Sequence, residues 1–230
     1  MISEFLSSID LQFGLLSAQD SGGSSDTLNI VARWLHITAG ITWIGLLYFF
    51  NFINGGFTAT MDAETKRKVV PQLVPRVLFW FRWGAAFTWI TGVVLFMVVY
   101  MGKAAMYSNG LDMEAGLSSR TVWILLGAVF GTIMAFNVWF IIWPAQKQII
   151  PAIRDGQAPP AGLPARATMA SKVNTYLSVP LLLTMVSNSV PSIFGMELAG
   201  SNHVFLLVMV VIGLAFVKGL YMIAPRIKGM

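Results

Sequence analysis

The chain of 230 residues is 56% apolar and only 11% charged, whereas soluble domains carry about 25% charged residues. So few charges exclude an ordinary soluble domain of this size and favour a protein that a lipid bilayer surrounds. The sequence has no cysteine, which excludes disulfides, thiolate metal sites and a covalently attached c-type haem.

The chain begins with a predicted amphipathic segment and linker, residues 1–27, which precede a single transmembrane helical domain, residues 28–230. Apolar residues recur at helical spacing between Ile2 and Leu16, a pattern that predicts a short amphipathic helix on the membrane surface or on a partner. The glycine- and serine-rich stretch 21–25 then predicts a flexible break.

Five apolar stretches follow, each close to the roughly 20 residues that a helix needs to cross the hydrocarbon core of a bilayer. They are predicted at about 30–53, 78–101, 122–143, 176–195 and 204–224. The predicted fold class is therefore an all-α integral membrane protein, a bundle of five transmembrane helices with a short N-terminal amphipathic helix.

The basic residues predict the orientation of this bundle, because cytoplasmic loops carry an excess of lysine and arginine. On the opposite side lie only Arg33, Lys103 and Arg120. The N-terminus is thus predicted outside and the C-terminus in the cytoplasm of a bacterium, in a multi-pass protein of the inner membrane. The net charge of +5 is then a topology signal and predicts no nucleic-acid partner. The basic side holds twelve residues: Lys66, Arg67, Lys68, Arg76, Arg82, Lys147, Arg154, Arg166, Lys172, Lys218, Arg226 and Lys228.

Small and amide side chains predict how the helices pack. Small residues let helices approach closely in lipid, and buried amides are expected to form hydrogen bonds between helices, with a ligand or quinone pocket as the alternative. The small residues form stripes on the first three spans: Ala39 and Gly40; Gly84, Thr88 and Gly92; Gly127, Gly131 and Ala135. The polar residues expected to bond in this way are Asn51, Asn54, Asn137, Asn174, Ser187, Asn188 and Ser189.

The two histidines, His36 and His203, are the candidate haem ligands. The predicted topology places both near the outer surface on different helices, and neutral imidazole is a good ligand for haem iron. One face of the first helix also carries Arg33, Gly40 and Trp43 by its spacing. Arg33 is predicted to pair with a propionate of a b-type haem, and Gly40 to make room for the porphyrin. The alternative is that His36 forms a hydrogen bond within the bundle, that His203 is a solvated loop residue and that no cofactor is bound.

Four stretches of the sequence resemble a known family. They are RWLHITAGITWIG (33–45), FRWGAAFTWITG (81–92), NVWFIIWPAQKQII (137–150) and NTYLSVPLLLTMVSNSVP (174–191). Together they resemble the N-terminal membrane domain of bacterial cytochrome-c-linked urate oxidases, over roughly residues 30–195. The resemblance implies a membrane domain that oxidises urate and passes electrons to a cytochrome c. This chain departs from the family pattern because histidines are absent near Val173 and Ser189, so a ligand set that used them is missing.

Three functions remain open from the sequence. The first is a structural or haem-bearing transmembrane subunit of a respiratory electron-transfer complex, without catalysis of its own. Its partners would be the lipid bilayer, other membrane redox subunits and a periplasmic cytochrome c. The second is a stand-alone oxidase of urate or a related small molecule that uses a separate cytochrome c. The third is a permease for a small solute or metal, which the lack of acidic residues deep in the predicted spans disfavours.

Overall fold

The computed structural model describes residues 23–101, 116–187 and 202–227, and helices dominate these ranges. The main helices are α1 (Gly23–Tyr48), α2 (Ala63–Phe96), α3 (Ser119–Phe136), α4 (Trp143–Arg154), α5 (Leu163–Ser187) and α6 (Asn202–Ile223). Shorter turns extend them: π-helical Phe49–Asn54 and α-helical Gly55–Ala59 after α1, π-helical Met97–Met101 after α2, π-helical Asn137–Ile142 between α3 and α4, and 3-10 Ala224–Arg226 after α6. The all-helical class is therefore confirmed for the described residues, whereas the amphipathic helix predicted before Gly23 lies outside them.

Four helical stretches are long and apolar enough to cross a membrane: Asp26–Ala59, Ala63–Val99, Ser119–Arg154 and Leu207–Arg226. Only 11% to 28% of the apolar window of each is buried inside the protein, so most of this apolar surface needs a nonpolar solvent such as lipid. Four of the five predicted spans coincide with these helices. The remaining span, 176–195, is described only as far as Ser187 and stays a prediction.

The helices extend beyond the spans predicted for them. The first begins at Gly23, inside the stretch predicted as a flexible break, and carries Asp26 in its first turn, where a negative charge stabilises the helix dipole. Helix α2 begins well before residue 78 because Asp62 caps it. The Asp62 carboxylate accepts hydrogen bonds from the backbone N–H groups of Glu64, at 2.9 Å, and Thr65, at 3.0 Å. The hydroxyl and the backbone of Thr65 together lower the pKa of Asp62, because they stabilise its charged form.

Small residues bring the helix backbones together, as the sequence predicts. Helix α1 packs along α2, α3 packs against α5, and α5 packs against α6. A Cβ atom at Gly84 would lie 3.2 Å from the backbone nitrogen of Trp43, and one at Gly127 would meet the hydroxyl of Thr184. Both glycines are therefore required by close helix crossings, and the stripes predicted on α2 and α3 are confirmed at these positions.

The two basic loops that follow α1 and α4 lie at the same end of the bundle. A Cβ atom at Gly156, in the turn after α4, would lie 2.9 Å from Nη1 of Arg67 in the first turns of α2. Gly156 has a φ of +69°, a left-handed conformation that glycine adopts without strain. The predicted orientation requires these two basic loops to lie on the same side of the membrane, and this contact agrees with that requirement.

Candidate functional site

An amide pair lies at the centre of the bundle, between α5 and the π-helical turn that joins α3 to α4. Nδ2 of Asn137 donates a hydrogen bond to Oδ1 of Asn174 at 2.8 Å, and Nδ2 of Asn174 donates to the carbonyl oxygen of Met134 at 2.9 Å. Asn174 is 0% exposed, so these bonds replace the water that the amides lose on burial. The prediction of interhelical bonding is confirmed for this pair.

A second polar network joins α1, α5 and α6 nearer the end that carries the basic loops. Nδ2 of Asn51 donates to the hydroxyl of Ser171 at 2.8 Å, and the hydroxyl of Tyr221 donates to Oδ1 of Asn51, also at 2.8 Å. The hydroxyls of Tyr48 and Ser178 lie 2.9 Å apart. These bonds fix three helices relative to one another, so here too the polar groups have a structural role.

His36 lies half-buried where α1 crosses α2. Its Nδ1 is 2.9 Å from the carbonyl oxygen of Thr88 and 3.3 Å from the hydroxyl oxygen of Thr91. A carbonyl oxygen only accepts, so Nδ1 carries the proton, and the neutral ring keeps its lone pair on Nε2. The ring also rests on Gly92, where a Cβ atom would lie 3.1 Å from Cε1. In the described part of the chain, Nε2 has no hydrogen-bond partner.

The other residues predicted on this face have different surroundings. Gly40 faces α2, and a Cβ atom there would lie 3.8 Å from the methyl group of Thr88. Thr88 therefore occupies the space that was predicted to admit a porphyrin. Trp43 is 2% exposed and belongs to the hydrophobic core. Arg33 is half-buried, and its Nη2 donates to Oδ1 of Asn29 at 3.3 Å.

His203 lies in the first turn of α6, Asn202–Ile223, rather than in a loop. Its side chain lies outside the described part of the structure, so the pairing of His36 with His203 across the bundle stays a prediction. Among the described residues, histidine and the acids form no group of three that is able to hold a metal ion.

Two apolar cavities lie elsewhere in the bundle, and neither is lined by an asparagine. One, of about 250 Å³, lies between α3, α5 and α6 and is lined by Leu126, Phe130, Leu177, Pro180 and Val210 among others. The other, of about 310 Å³, lies between α2 and α3 beside Trp89, Phe136 and Phe140. Asn137 and Asn174 therefore bind each other instead of lining these two cavities, and Asn188 and Ser189 lie outside the described residues.

An arginine inside an aromatic cage was not singled out from the sequence. The guanidinium carbon of Arg82 lies 4.0 Å from the ring centre of Trp143, 5.1 Å from that of Trp139 and 5.9 Å from that of Trp83. The indole nitrogen of Trp139 donates to the carbonyl oxygen of Arg82 at 3.2 Å. The sequence did contain a signal for this cage. An arginine stands between aromatic residues inside a predicted span, in FRWG (81–84), and two tryptophans occur in NVWFIIW (137–143).

A comparison with known families identifies the family of the chain. The profile described as urate oxidase N-terminal matches residues 61–114 and 108–226, which together are more than half of the chain. The protein belongs to the urate oxidase N-terminal family. Searches of curated proteins and of solved structures returned no significant match.

The family match confirms the resemblance inferred from the sequence and overlaps its predicted range, 30–195, from residue 61 onward. The match starts after α1 and extends to residue 226, so only the bounds differ. Within this urate oxidase N-terminal region lie Arg82, the Asn137–Asn174 pair and His203. His36 lies outside it, so family membership rests on α2 to α6 and not on the histidine of the first helix.

Proposed function

We propose that this chain is a transmembrane subunit of a redox complex in the bacterial inner membrane, and that His36 would bind the iron of a b-type haem. The observation that carries the proposal is the hydrogen bond from Nδ1 of His36 to the carbonyl oxygen of Thr88. A histidine that binds a metal through one ring nitrogen usually donates its other N–H to a fixed acceptor, which sets the tautomer and the ring orientation. A haem held there would transfer single electrons to or from a periplasmic cytochrome c.

The surroundings of His36 favour a subunit over a self-contained haem protein. The imidazole is half-buried at the surface of the α1–α2 pair, and Gly40 and Trp43 are packed against α2. The ligand nitrogen therefore fits a haem at the boundary with another subunit better than one enclosed by this bundle. Arg33 lies one turn away on the same helix and offers a cation for a propionate, and His203 remains the predicted second ligand.

The proposed orientation has the N-terminus outside and the C-terminus in the cytoplasm. It is supported by the basic loops after α1 and α4, which share one end of the bundle through the approach of Gly156 to Arg67. In this orientation His36 belongs to the periplasmic half of α1. An electron then reaches a periplasmic carrier without crossing the whole bilayer.

Absorption spectra of the purified protein test the haem. The tagged wild-type chain is purified in mild detergent from cells supplied with haem, and spectra are recorded before and after dithionite reduction. We expect a Soret band and sharp reduced α and β bands, both abolished by His36→Ala at unchanged helical content, with His203→Ala giving a high-spin spectrum. A folded wild-type protein without a Soret band would contradict the haem and leave His36 as a packing residue of a structural subunit.

The same purification tests the assembly. Other redox subunits are expected to copurify in a fixed ratio with the tagged chain. A homogeneous monomer or homodimer that carries out the complete reaction alone would contradict the subunit proposal.

The family match favours a second candidate, a membrane oxidase of urate that uses a separate cytochrome c. Its distinguishing measurement is the reduction of added cytochrome c by purified protein on addition of urate, followed at the cytochrome α band. If the isolated chain reduces cytochrome c only when urate is added, the oxidase is supported over the subunit. If urate leaves the cytochrome c spectrum unchanged, the subunit is supported.

A further inference from the structure

The guanidinium of Arg82 is a cation without an acidic partner among the described residues. Its Nε is buried and has no hydrogen-bond acceptor there. Lys68 pairs with Glu64 and Arg154 with Asp155, while Asp62 is engaged as the cap of α2. A partly desolvated guanidinium with unused donors is costly unless an anion joins it.

The aromatic cage positions this cation without neutralising it. Cation–π contacts with Trp143, Trp139 and Trp83 hold the guanidinium through the ring faces, and such contacts use none of its N–H groups as hydrogen-bond donors. The rings of Trp83 and Trp139 meet edge to face, with centres 5.6 Å apart and an angle of 85°, which stabilises the cage. A second cation, Nζ of Lys147, lies 5.9 Å from the ring centre of Trp143.

The local helix geometry explains why these residues meet. Pro144 has no N–H to continue an α-helical ladder, and the backbone N–H of Trp143 bonds to the carbonyl oxygen of Val138 in the π-helical turn Asn137–Ile142. A π-helical turn closes a hydrogen bond over one more residue than an α-helical turn. It therefore changes the directions in which the side chains of Trp139 and Trp143 project relative to each other. π-Helical turns of this kind are frequent at functional sites.

The membrane-spanning stretch that contains Arg82 ends at Val99, in the π-helical turn after α2. From Arg82 to Val99 a helix rises about 26 Å, close to the roughly 30 Å thickness of the hydrocarbon core. With Val99 at one bilayer surface, Arg82 lies near the other. Tryptophans such as those of the cage are enriched at this boundary, and basic pockets between membrane helices bind anionic headgroups.

We propose that Arg82, with Trp83, Trp139 and Trp143, forms a binding site for a phosphate group at the bilayer boundary that carries the basic loops. A guanidinium binds phosphate oxygens through two parallel N–H groups, and Lys147 adds a second positive charge at the ring of Trp143. The phosphate comes either from an anionic phospholipid or from a soluble phosphate compound, and the two sources differ in how they respond to the test below.

The test measures binding to delipidated protein in a neutral maltoside detergent. Native mass spectrometry counts bound dioleoylphosphatidylglycerol, with dioleoylphosphatidylcholine as the zwitterionic control, and a thermal-unfolding assay measures the effect of inorganic phosphate. We expect one phosphatidylglycerol bound per chain in preference to phosphatidylcholine. Arg82→Gln should weaken this binding at least about tenfold, since it removes a charge-assisted pair of hydrogen bonds.

The matched control is Arg76→Gln, which removes the same charge from an exposed position on the same helix, where the side chain donates to the carbonyl oxygen of Gln72. It should leave binding unchanged.

If inorganic phosphate stabilises the wild type, Arg82→Gln abolishes this stabilisation and no lipid binds, the site is supported with a soluble phosphate as its source. Equal binding by wild type and Arg82→Gln overturns the proposal. If Arg82→Gln does not fold, Arg82→Lys is tested in its place. The lysine keeps the positive charge but cannot form the bidentate pair of hydrogen bonds. Unchanged affinity of this variant for both probes overturns the proposal.

Discussion

Asn137 and Asn174 bind each other across the bundle, with 2.8 Å between Nδ2 of the first and Oδ1 of the second. Asn174 also donates to the carbonyl oxygen of Met134, so its one amide connects α5 to both α3 and the π-helical turn that follows. Because it is fully buried, each hydrogen bond that it makes is one that water cannot replace.

We therefore predict that Asn174→Ala lowers the free energy of unfolding by about 1–3 kcal/mol, because Nδ2 of Asn137 is left buried without its acceptor. Chemical unfolding in detergent, followed by circular dichroism, measures the change. The double replacement Asn137→Leu/Asn174→Leu should cost less than the sum of the two single leucine variants, since it leaves no unpaired amide. Additive costs would contradict a direct interaction.

The crossing of α3 and α5 gives a prediction with an internal control. Gly127→Ala places a methyl group against the hydroxyl of Thr184 and 2.6 Å from Cε of Met185, and overpacking of this kind costs about 1–3 kcal/mol. Gly45→Ala has no heavy atom within 4 Å of the new Cβ and should be neutral, or stabilising by up to about 1 kcal/mol through helix propensity. Thermal unfolding in the same detergent compares the two variants, and an equal loss in both would contradict the close crossing at Gly127.

Much of the fold follows from the sequence because it depends on properties that residues carry by themselves. Apolar length predicts five spans, of which four coincide with helices that are long and apolar enough to cross a membrane. Small residues predict the crossings at Gly84 and Gly127, since a missing side chain permits close approach in any context. Helix ends are less predictable: α2 starts at Ala63 because of a local cap at Asp62, and hydropathy does not detect caps. The basic loops after α1 and α4 lie at one end of the bundle, as their positive charges predict.

The candidate site was less predictable because it depends on pairs of helices. Spacing predicts Arg33, His36, Gly40 and Trp43 on one face of α1. It does not reveal that the methyl group of Thr88 fills the space beside Gly40, because that methyl group belongs to α2. The cage around Arg82 escaped prediction for the same reason: its tryptophans come from α2, from a π-helical turn and from the start of α4, and π-helical geometry changes the spacing on which sequence patterns depend.

Enzyme fusions test the predicted orientation. Alkaline phosphatase is active only outside the cytoplasm, so a fusion after Met230 should be inactive and an insertion within residues 102–121 should be active. The physical reason is that lysine and arginine are in excess at the end of the bundle that carries the basic loops after α1 and α4, and such loops stay in the cytoplasm. The control is a cytoplasm-active reporter at both positions, which should give the opposite pattern. Activity of the phosphatase after Met230, with none in the loop, would reverse the assignment.

The contact of Gly92 with His36 gives the last prediction, which depends on the haem proposal. In Gly92→Ala the new methyl group would lie 3.1 Å from Cε1 of the imidazole, so the ring must rotate or shift, and the hydrogen bond from Nδ1 to Thr88 is strained. Because that bond sets the orientation and basicity of a ligating histidine, the variant should keep its fold while its Soret maximum and reduction potential move. Thr91→Val is the matched control: it removes a hydroxyl 3.3 Å from Nδ1 but keeps the carbonyl acceptor, so the shift should be smaller. Visible spectra and potentiometric titration measure both. A haem signal that His36→Ala abolishes but Gly92→Ala leaves unchanged would show that ring orientation does not govern the site, and a signal unaffected by either variant would exclude His36 as the ligand.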